Sequence, residues 1–125
     1  MVSKGQVYWF DFGQVLGSGP GYVRPCVVIQ SEAANRSAIR TVIVCLITSN
    51  LGIKGKGGNI LLNVGEGNLP KESVANVSQV FTLDKEQLVD PIGQLSLERV
   101  DQIVNGVIRM LRPKYQTKSE VEEAG

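Results

Sequence analysis

The 125-residue chain has no histidine and only two cysteines, Cys26 and Cys45. Histidine is the commonest acid–base group near neutral pH and the commonest metal ligand, so its absence excludes the most frequent forms of both kinds of site. Each cysteine lies in a valine-rich segment rather than in a CxxC or Cys/His cluster. This placement predicts small buried thiols and not a disulfide or a metal pair. We therefore expect no metal site and no cofactor.

Long apolar runs are also missing from the chain. No stretch approaches the roughly 20 residues that a membrane-spanning helix needs, and residues 1–5 are not followed by the apolar segment of a signal peptide. We expect no membrane contact. A hydrophobic content of 42% is sufficient for one compact domain, predicted over residues 1–112. Residues 113–125 are polar and charged, and they are predicted to form a disordered tail.

Short β-branched and aromatic segments alternate with glycine-rich connections along most of the chain. This pattern predicts strands that form a small barrel or a strongly curved sheet. The predicted strands are residues 5–12, 25–30, 39–47, 59–64 and 73–82. One long helix follows, with Ser96 as its N-cap, Leu111 as its last residue and an apolar stripe along one side. The fold class is therefore mainly β with a C-terminal helix.

A glycine-rich segment, residues 13–21, leads to Arg24 and Pro25 at the start of the second predicted strand. The residue before a proline is biased toward extended backbone, so Arg24 is expected to open that strand. Thr48 closes the third strand. If these two strands pair in antiparallel fashion, Arg24 and Thr48 lie at one rim of the sheet. An arginine fork matches phosphate oxygens, and a threonine hydroxyl adds a donor without negative charge.

The loop after Thr48 adds two cations, Lys54 and Lys56, that are available to backbone phosphates. These residues together indicate a phosphodiester-binding groove, although a solvated arginine beside a hairpin loop remains the alternative for Arg24. Trp9 is interpreted as a core residue rather than a base-stacking platform, because it lies mid-strand among apolar neighbours. In the fifth strand, Val77 and Phe81 are predicted to share the more apolar face.

Several segments of the chain match one known family in the same order. They are residues 5–9 (GQVYW), 23–29 (VRPCVVI), 46–50 (LITSN), 69–74 (LPKESV) and 82–85 (TLDK). On these segments the chain resembles the MazF/PemK toxin endoribonucleases over residues 3–112. The resemblance implies a small SH3-like barrel of curved antiparallel strands with a C-terminal helix, assembled as a homodimer, with residues 1–112 as the toxin domain.

The same resemblance implies the toxin component of a type II toxin–antitoxin system. Such a protein is a cytoplasmic, sequence-specific and metal-independent endoribonuclease that cleaves single-stranded RNA. The ribose 2′-hydroxyl attacks the adjacent phosphate and leaves 2′,3′-cyclic phosphate and 5′-hydroxyl ends. The implied partner besides RNA is a cognate antitoxin protein, whose flexible acidic segment would occupy the RNA groove.

The resemblance places the catalytic arginine at Arg24 and the catalytic threonine at Thr48. The residues expected to bind RNA are Ser49, Asn50, Lys54, Lys56, Ser78 and Gln79. Some relatives carry an acidic residue where this chain has Ser78, and a neutral serine cannot accept a proton as a carboxylate does. Either the general base lies elsewhere, in Arg24 itself or in water, or this chain is slower than those relatives.

Two other functions are compatible with these residues. The first is a noncatalytic small-barrel module that grips RNA or a protein in the same groove, since small barrels host many functions. The second is an interaction protein that acts on another macromolecular target, such as a topoisomerase or a translation factor. RNA cleavage by the purified protein separates the first from an enzyme, and toxicity that survives Arg24→Ala would favour the second.

Overall fold

A computed structural model describes residues 1–17 and 19–112 of the chain. The helices and strands within these residues are β1 (Gln6–Asp11), β2 (Val23–Val28), α1 (Glu32–Arg36), β3 (Thr41–Thr48), β4 (Ile60–Leu62), β5 (Ser73–Asp84), β6 (Pro91–Gln94) and α2 (Leu97–Leu111). Single 3-10 turns lie at Leu51–Ile53, Lys56–Gly58, Glu66–Asn68 and Lys85–Gln87. The predicted tail, residues 113–125, lies outside the described residues.

The strands form one sheet in the order β4-β5-β3-β2-β1-β6, and every neighbouring pair is antiparallel. The sheet curls into a half-barrel with α2 against one face. This confirms the predicted fold, a small SH3-like barrel of curved antiparallel strands with a C-terminal helix. All five predicted strands are present, with ends that differ by up to two residues. The edge strand β6 was not predicted.

Apolar side chains are buried on both faces of the sheet. Val27 of β2 and its strand partner Cys45 of β3 pack in the cluster beneath α2, whereas their neighbours Cys26 and Leu46 pack in a second cluster on the other face. Both cysteines are fully buried free thiols, as predicted. This division follows from the two-residue period of a strand, and it explains why β2 and β3 are apolar almost throughout.

Strand β5 contains a bulge in its middle. Cys45 of β3 lies opposite Val80, but Ile47, only two residues further, lies opposite Ala75. The four residues 76–79 therefore face the single residue between Cys45 and Ile47. A bulge of this kind reverses which side chains face the core. Val77 consequently packs beneath α2 while Phe81 packs in the opposite cluster, so the prediction that they share a face is wrong.

Helix α2 begins as predicted, because the hydroxyl of Ser96 accepts a hydrogen bond from the N–H of Arg99 at 3.2 Å. Arg99 also forms an ion pair with Glu66 at 2.8 Å, which joins the helix to the turn before β5. The first part of the apolar stripe is buried, but Leu111 at its end is 77% exposed. None of the helices in the described part of the chain has the length and apolar character needed to cross a membrane.

Candidate active site

The register of β2 and β3 brings Arg24 and Thr48 to the same rim of the sheet. Cys26 lies opposite Leu46, and each step back along β2 is matched by one step forward along β3. The paired residues end at Cys26 and Leu46, and continuing the same register by two residues on each strand would set Arg24 opposite Thr48. Side chains of directly opposed residues in an antiparallel pair point to the same face. The antiparallel pairing expected from the sequence is confirmed.

Arg24 is half-buried and held by its own neighbours in the chain. One guanidinium nitrogen, Nη1, donates to the carbonyl of Val23 at 2.8 Å, and the guanidinium carbon lies 4.2 Å from the centre of the Tyr22 ring. Such a cation–aromatic contact stabilises an exposed pair by about 0.5–1 kcal/mol. Because an arginine has five N–H donors, most of the fork remains available to an anion at the rim.

The carboxylate of Asp11, at the end of β1, organises the loop before Arg24. Oδ1 accepts from the N–H of Gly13 at 2.9 Å and from that of Tyr22 at 3.1 Å, while Oδ2 accepts from the N–H of Gly21 at 2.8 Å. The bond from Gly21, followed by that from Gly13, lowers the pKa of Asp11 below its ordinary value, so the group stays ionised. Asp11 therefore joins both ends of the glycine-rich loop and sets the position of Tyr22 beneath Arg24.

Asp11 was not identified from the sequence. An aspartate at a strand end, two residues before a glycine-rich loop, is a local signal for side-chain capping of backbone N–H groups. That signal predicts only the bond to Gly13. The bonds to Gly21 and Tyr22 connect residues ten and eleven positions apart, and they depend on how the loop returns.

The hydroxyl of Thr48 is half-buried and fixed by the turn that follows β3. Its Oγ1 accepts from the N–H of Asn50 at 3.1 Å, and Oδ1 of Asn50 accepts in turn from the N–H of Gly52 at 3.1 Å. Accepting a bond uses one lone pair of the hydroxyl and leaves its hydrogen as a donor. Thr48 can therefore present an oriented O–H at the end of β3, although it is Ser49 and not Thr48 that lines the cleft with Arg24. Ser49 and Asn50 are both exposed there.

A cleft of about 180 Å³ opens beside Arg24. Its lining includes Trp9, Arg24, Pro25, Ser49, Lys71 and Ser73. Trp9 is 45% exposed, so its interpretation as a core residue is wrong. The reason lies in the strand pairing, because Trp9 is opposite Pro25 of β2 on one side, while β6 pairs with β1 only as far as Tyr8 and leaves Trp9 without a strand neighbour on the other side. Lys71 and Ser73 come from the segment that leads into β5.

Lys54 and Lys56 are exposed on the loop between β3 and β4, and neither lines the cleft beside Arg24. Lys54 lines a different and more open groove between β4 and α2, together with Arg99. The turn that contains Lys56 packs against α2, where Gly58 approaches Gly106. The structure thus brings Arg24 and Ser49 together and places Lys54 on another surface.

Ser78 and Gln79 lie in the bulge of β5. The Ser78 hydroxyl donates to Oδ1 of Asn76 at 2.6 Å, and Nδ2 of Asn76 donates to Oε1 of Gln79 at 3.3 Å. These bonds arrange the three polar side chains as one group, and none of the three lines the cleft beside Arg24. Within residues 1–17 and 19–112, no three or more His, Cys, Asp or Glu side chains come together as a candidate metal site.

Comparison with known proteins assigns the chain to one family. The family model described as "PemK-like, MazF-like toxin of type II toxin-antitoxin system" matches residues 3–111. Endoribonuclease MazF6 of Mycobacterium tuberculosis is 37% identical over 111 residues, which cover 89% of this chain and 97% of the relative. Endoribonuclease EndoA of Bacillus subtilis is 33% identical over 103 residues, which cover 82% and 88% respectively.

Solved structures agree at the level of the fold. An endoribonuclease in complex with its cognate antitoxin from a mycobacterial species has a TM-score of 0.70 at 20% identity, covering 93% of this chain and 100% of that one. MazF from Deinococcus radiodurans has a TM-score of 0.68 at 20% identity, covering 88% and 96%. The chain belongs to the MazF/PemK family of endoribonuclease toxins from type II toxin–antitoxin systems.

Proposed function

We propose that this protein is a cytoplasmic toxin that cleaves single-stranded RNA at short sequences without a metal ion, with Arg24 and Thr48 as its catalytic residues. The observation that supports the assignment most directly is the antiparallel pairing of β2 with β3, because it brings the start of β2, with Arg24, to the same side of the sheet as the end of β3, with Thr48. The 37% identity to a protein named as an endoribonuclease supports the reaction class. As in the resemblance drawn from the sequence, the active form is a homodimer.

The reaction is attack of a ribose 2′-oxygen on the adjacent phosphorus. The 2′-hydroxyl gives up its proton to a general base as the new bond closes a 2′,3′-cyclic phosphate, the bond from phosphorus to the 5′-oxygen breaks, and that oxygen takes up a proton to become a 5′-hydroxyl. Negative charge grows on the equatorial phosphate oxygens during the attack. A fixed guanidinium and an oriented hydroxyl stabilise that charge more than they stabilise the bound substrate, which is the condition for catalysis.

RNA on either side of the scissile phosphate would meet the remaining predicted residues. Ser49 and Asn50 are exposed beside Thr48, and the polar group that includes Ser78 and Gln79 lies further along the sheet. Lys54 and Lys56 are exposed cations that would bind more distant phosphates. A cognate antitoxin with an acidic segment would compete for the same cations, in agreement with the antitoxin-bound complexes among the structural neighbours.

The test incubates purified protein with a long mixed-sequence RNA in the presence of EDTA and maps both new ends. We expect cuts at one short motif that leave cyclic phosphate and 5′-hydroxyl ends. Arg24→Ala, and Thr48→Val, which replaces the hydroxyl by a methyl group of similar size, should each reduce the rate by about 100- to 1000-fold. Arg40→Ala is the matched control. Arg40 is an exposed arginine just before the first residue of β3, whereas Thr48 is the last residue of that strand.

The two other functions give different results in the same experiment. Salt-sensitive RNA binding without cleavage would identify a noncatalytic module. Growth inhibition by Arg24→Ala equal to that by the unaltered protein would mean that the cellular target is not reached through RNA cleavage. If Arg24→Ala and Arg40→Ala reduced the rate of RNA cleavage equally, the assignment of the rim as the active site would be contradicted.

A further inference from the structure

Trp9 is exposed in an unusual setting. It lies in the middle of β1, where the next residue towards the N-terminus, Tyr8, is only 2% exposed, yet 45% of Trp9 remains accessible. Its indole borders the cleft that also contains Arg24 and Pro25. A large aromatic surface left open beside a candidate catalytic arginine is a platform that a planar ligand can cover.

The rest of the cleft has the chemistry of a nucleotide site. Two of its lining side chains, Arg24 and Lys71, are cations, and none of its lining residues is acidic. Ser49 supplies an exposed hydroxyl that can both donate and accept. The shape of the wall is fixed, because the buried hydroxyl of Ser73 donates to the carbonyl of Lys71 at 2.8 Å. Single-stranded RNA is bound by this combination of aromatic stacking and cations.

We propose that this cleft binds the nucleobase of a nucleotide adjoining the scissile phosphate, with the base stacked on Trp9 and with Lys71 and Ser49 contacting its polar edge or its phosphate. This inference rests on the proposed ribonuclease function and adds a base subsite to it. Its place on the chain supports it, since Ser49 directly follows Thr48 and Arg24 borders both the rim and the cleft. A base and its own phosphate are joined through a single ribose, so adjacent sites are what one nucleotide requires.

The only tryptophan of the chain is Trp9, so intrinsic fluorescence reports directly on the cleft. The probes are short 2′-O-methyl RNA oligonucleotides that tile the RNA of the cleavage assay; they lack the attacking hydroxyl and cannot be cut. We expect the tightest-binding oligonucleotide to quench Trp9. Replacing one of its bases by an abasic residue, next to the scissile position, should abolish the quenching and weaken binding by about 5- to 150-fold, the range given by stacking of one base.

Two variants turn this result into a double-mutant cycle, read by the anisotropy of labelled oligonucleotides. Trp9→Leu should bind the intact and the abasic oligonucleotide with equal affinity. Trp9→Phe keeps an aromatic face, so it should retain most of the difference in affinity between the two oligonucleotides. Lys71→Ala should weaken binding and reduce its salt dependence. The test compares the ratio of the dissociation constants of the two oligonucleotides for the same variant. A general loss of stability in Trp9→Leu would weaken both and leave that ratio unchanged, so it would not produce the expected result.

Other outcomes would overturn the inference. If every abasic oligonucleotide bound like the intact one while Arg24-dependent cleavage persisted, the cleft would not be a base site but the ribonuclease function would stand. If RNA left Trp9 unchanged and an acidic peptide quenched it, the cleft would belong to a protein partner instead. Failure of the proposed function has a separate signature, which is no cleavage by the unaltered protein.

Discussion

Gly106 provides a test of how tightly the loop after β3 is packed on α2. In the middle of an exposed helix, replacing glycine by alanine stabilises a protein by about 1 kcal/mol. Gly106 is buried, however, and a Cβ there would lie 2.7 Å from the carbonyl oxygen of Gly58 and 2.8 Å from Cγ1 of Val77. Overpacking of this kind costs about 1–3 kcal/mol. We therefore expect Gly106→Ala to destabilise the protein by up to about 2 kcal/mol, opposite to the sign given by helix propensity.

The matched control is Asn105→Ala, on the exposed side of the same helical turn. Asparagine is the poorer helix former by up to about 0.7 kcal/mol, so this variant should be slightly more stable than the unaltered protein. Urea denaturation of all three proteins at one protomer concentration gives the comparison, because association would otherwise shift the midpoints. If Gly106→Ala were as stable as Asn105→Ala, the contact between Gly58 and Gly106 would not constrain the loop, and the reasoning would fail.

Two further predictions follow from ionisable groups. The carboxylate of Glu32 accepts hydrogen bonds from Asn35, from the backbone N–H of Lys4 and from Ser3, and these bonds lower its pKa from 4.5 to about 2. The stability that Glu32 contributes to the folded protein is therefore present above pH 4.5 and is lost as the pH falls towards 2. Glu32→Gln should therefore flatten the fall of the thermal midpoint in that window, and an unchanged slope would contradict this. Burial raises the pKa of Cys26 and of Cys45 to about 12. Both thiols should therefore resist iodoacetamide near neutral pH and react once urea unfolds the chain. Rapid labelling of the folded protein would contradict this prediction, because it would show that the thiols are accessible.

The elements that could be predicted from the sequence are those specified by local pattern. The apolar run of β3 and the hydroxyl cap of α2 at Ser96 each lie within a few residues of the feature they define. The strand β6 lacks such a pattern, because it starts at Pro91 and contains Gly93, and both residue types are rare in strands. It exists because an edge of β1 is available for pairing, which is a non-local fact.

The candidate site divides in the same way. The position of Arg24 and Thr48 at neighbouring strand ends could be predicted, because each stands at the end of an apolar segment and antiparallel pairing brings such ends together, whereas their catalytic role stays a prediction. The exposure of Trp9 could not be predicted, since its neighbours in the chain are apolar and only the shape of the rim leaves it open. The bulge at residues 76–79 depends on a shift of register against β3, and no residue type in that segment requires it.

The rim, taken with its hydrogen bonds, is built to donate protons rather than to accept them. The carboxylate of Asp11, one residue from the partner of Arg24 in β1, receives three backbone N–H groups that keep its pKa low and make it a weak base. The Ser78 hydroxyl donates to Asn76, and arginine is a permanent cation in proteins. None of these three groups, Asp11, Ser78 and Arg24, is a strong base, and for the proposed reaction this favours water over Arg24 as the acceptor of the 2′-hydroxyl proton. If that proposal holds, the Arg24 cation and the Thr48 hydroxyl supply the rate enhancement by stabilising charge, and Arg24→Ala and Thr48→Val should each show the full loss of rate expected for one lost donor.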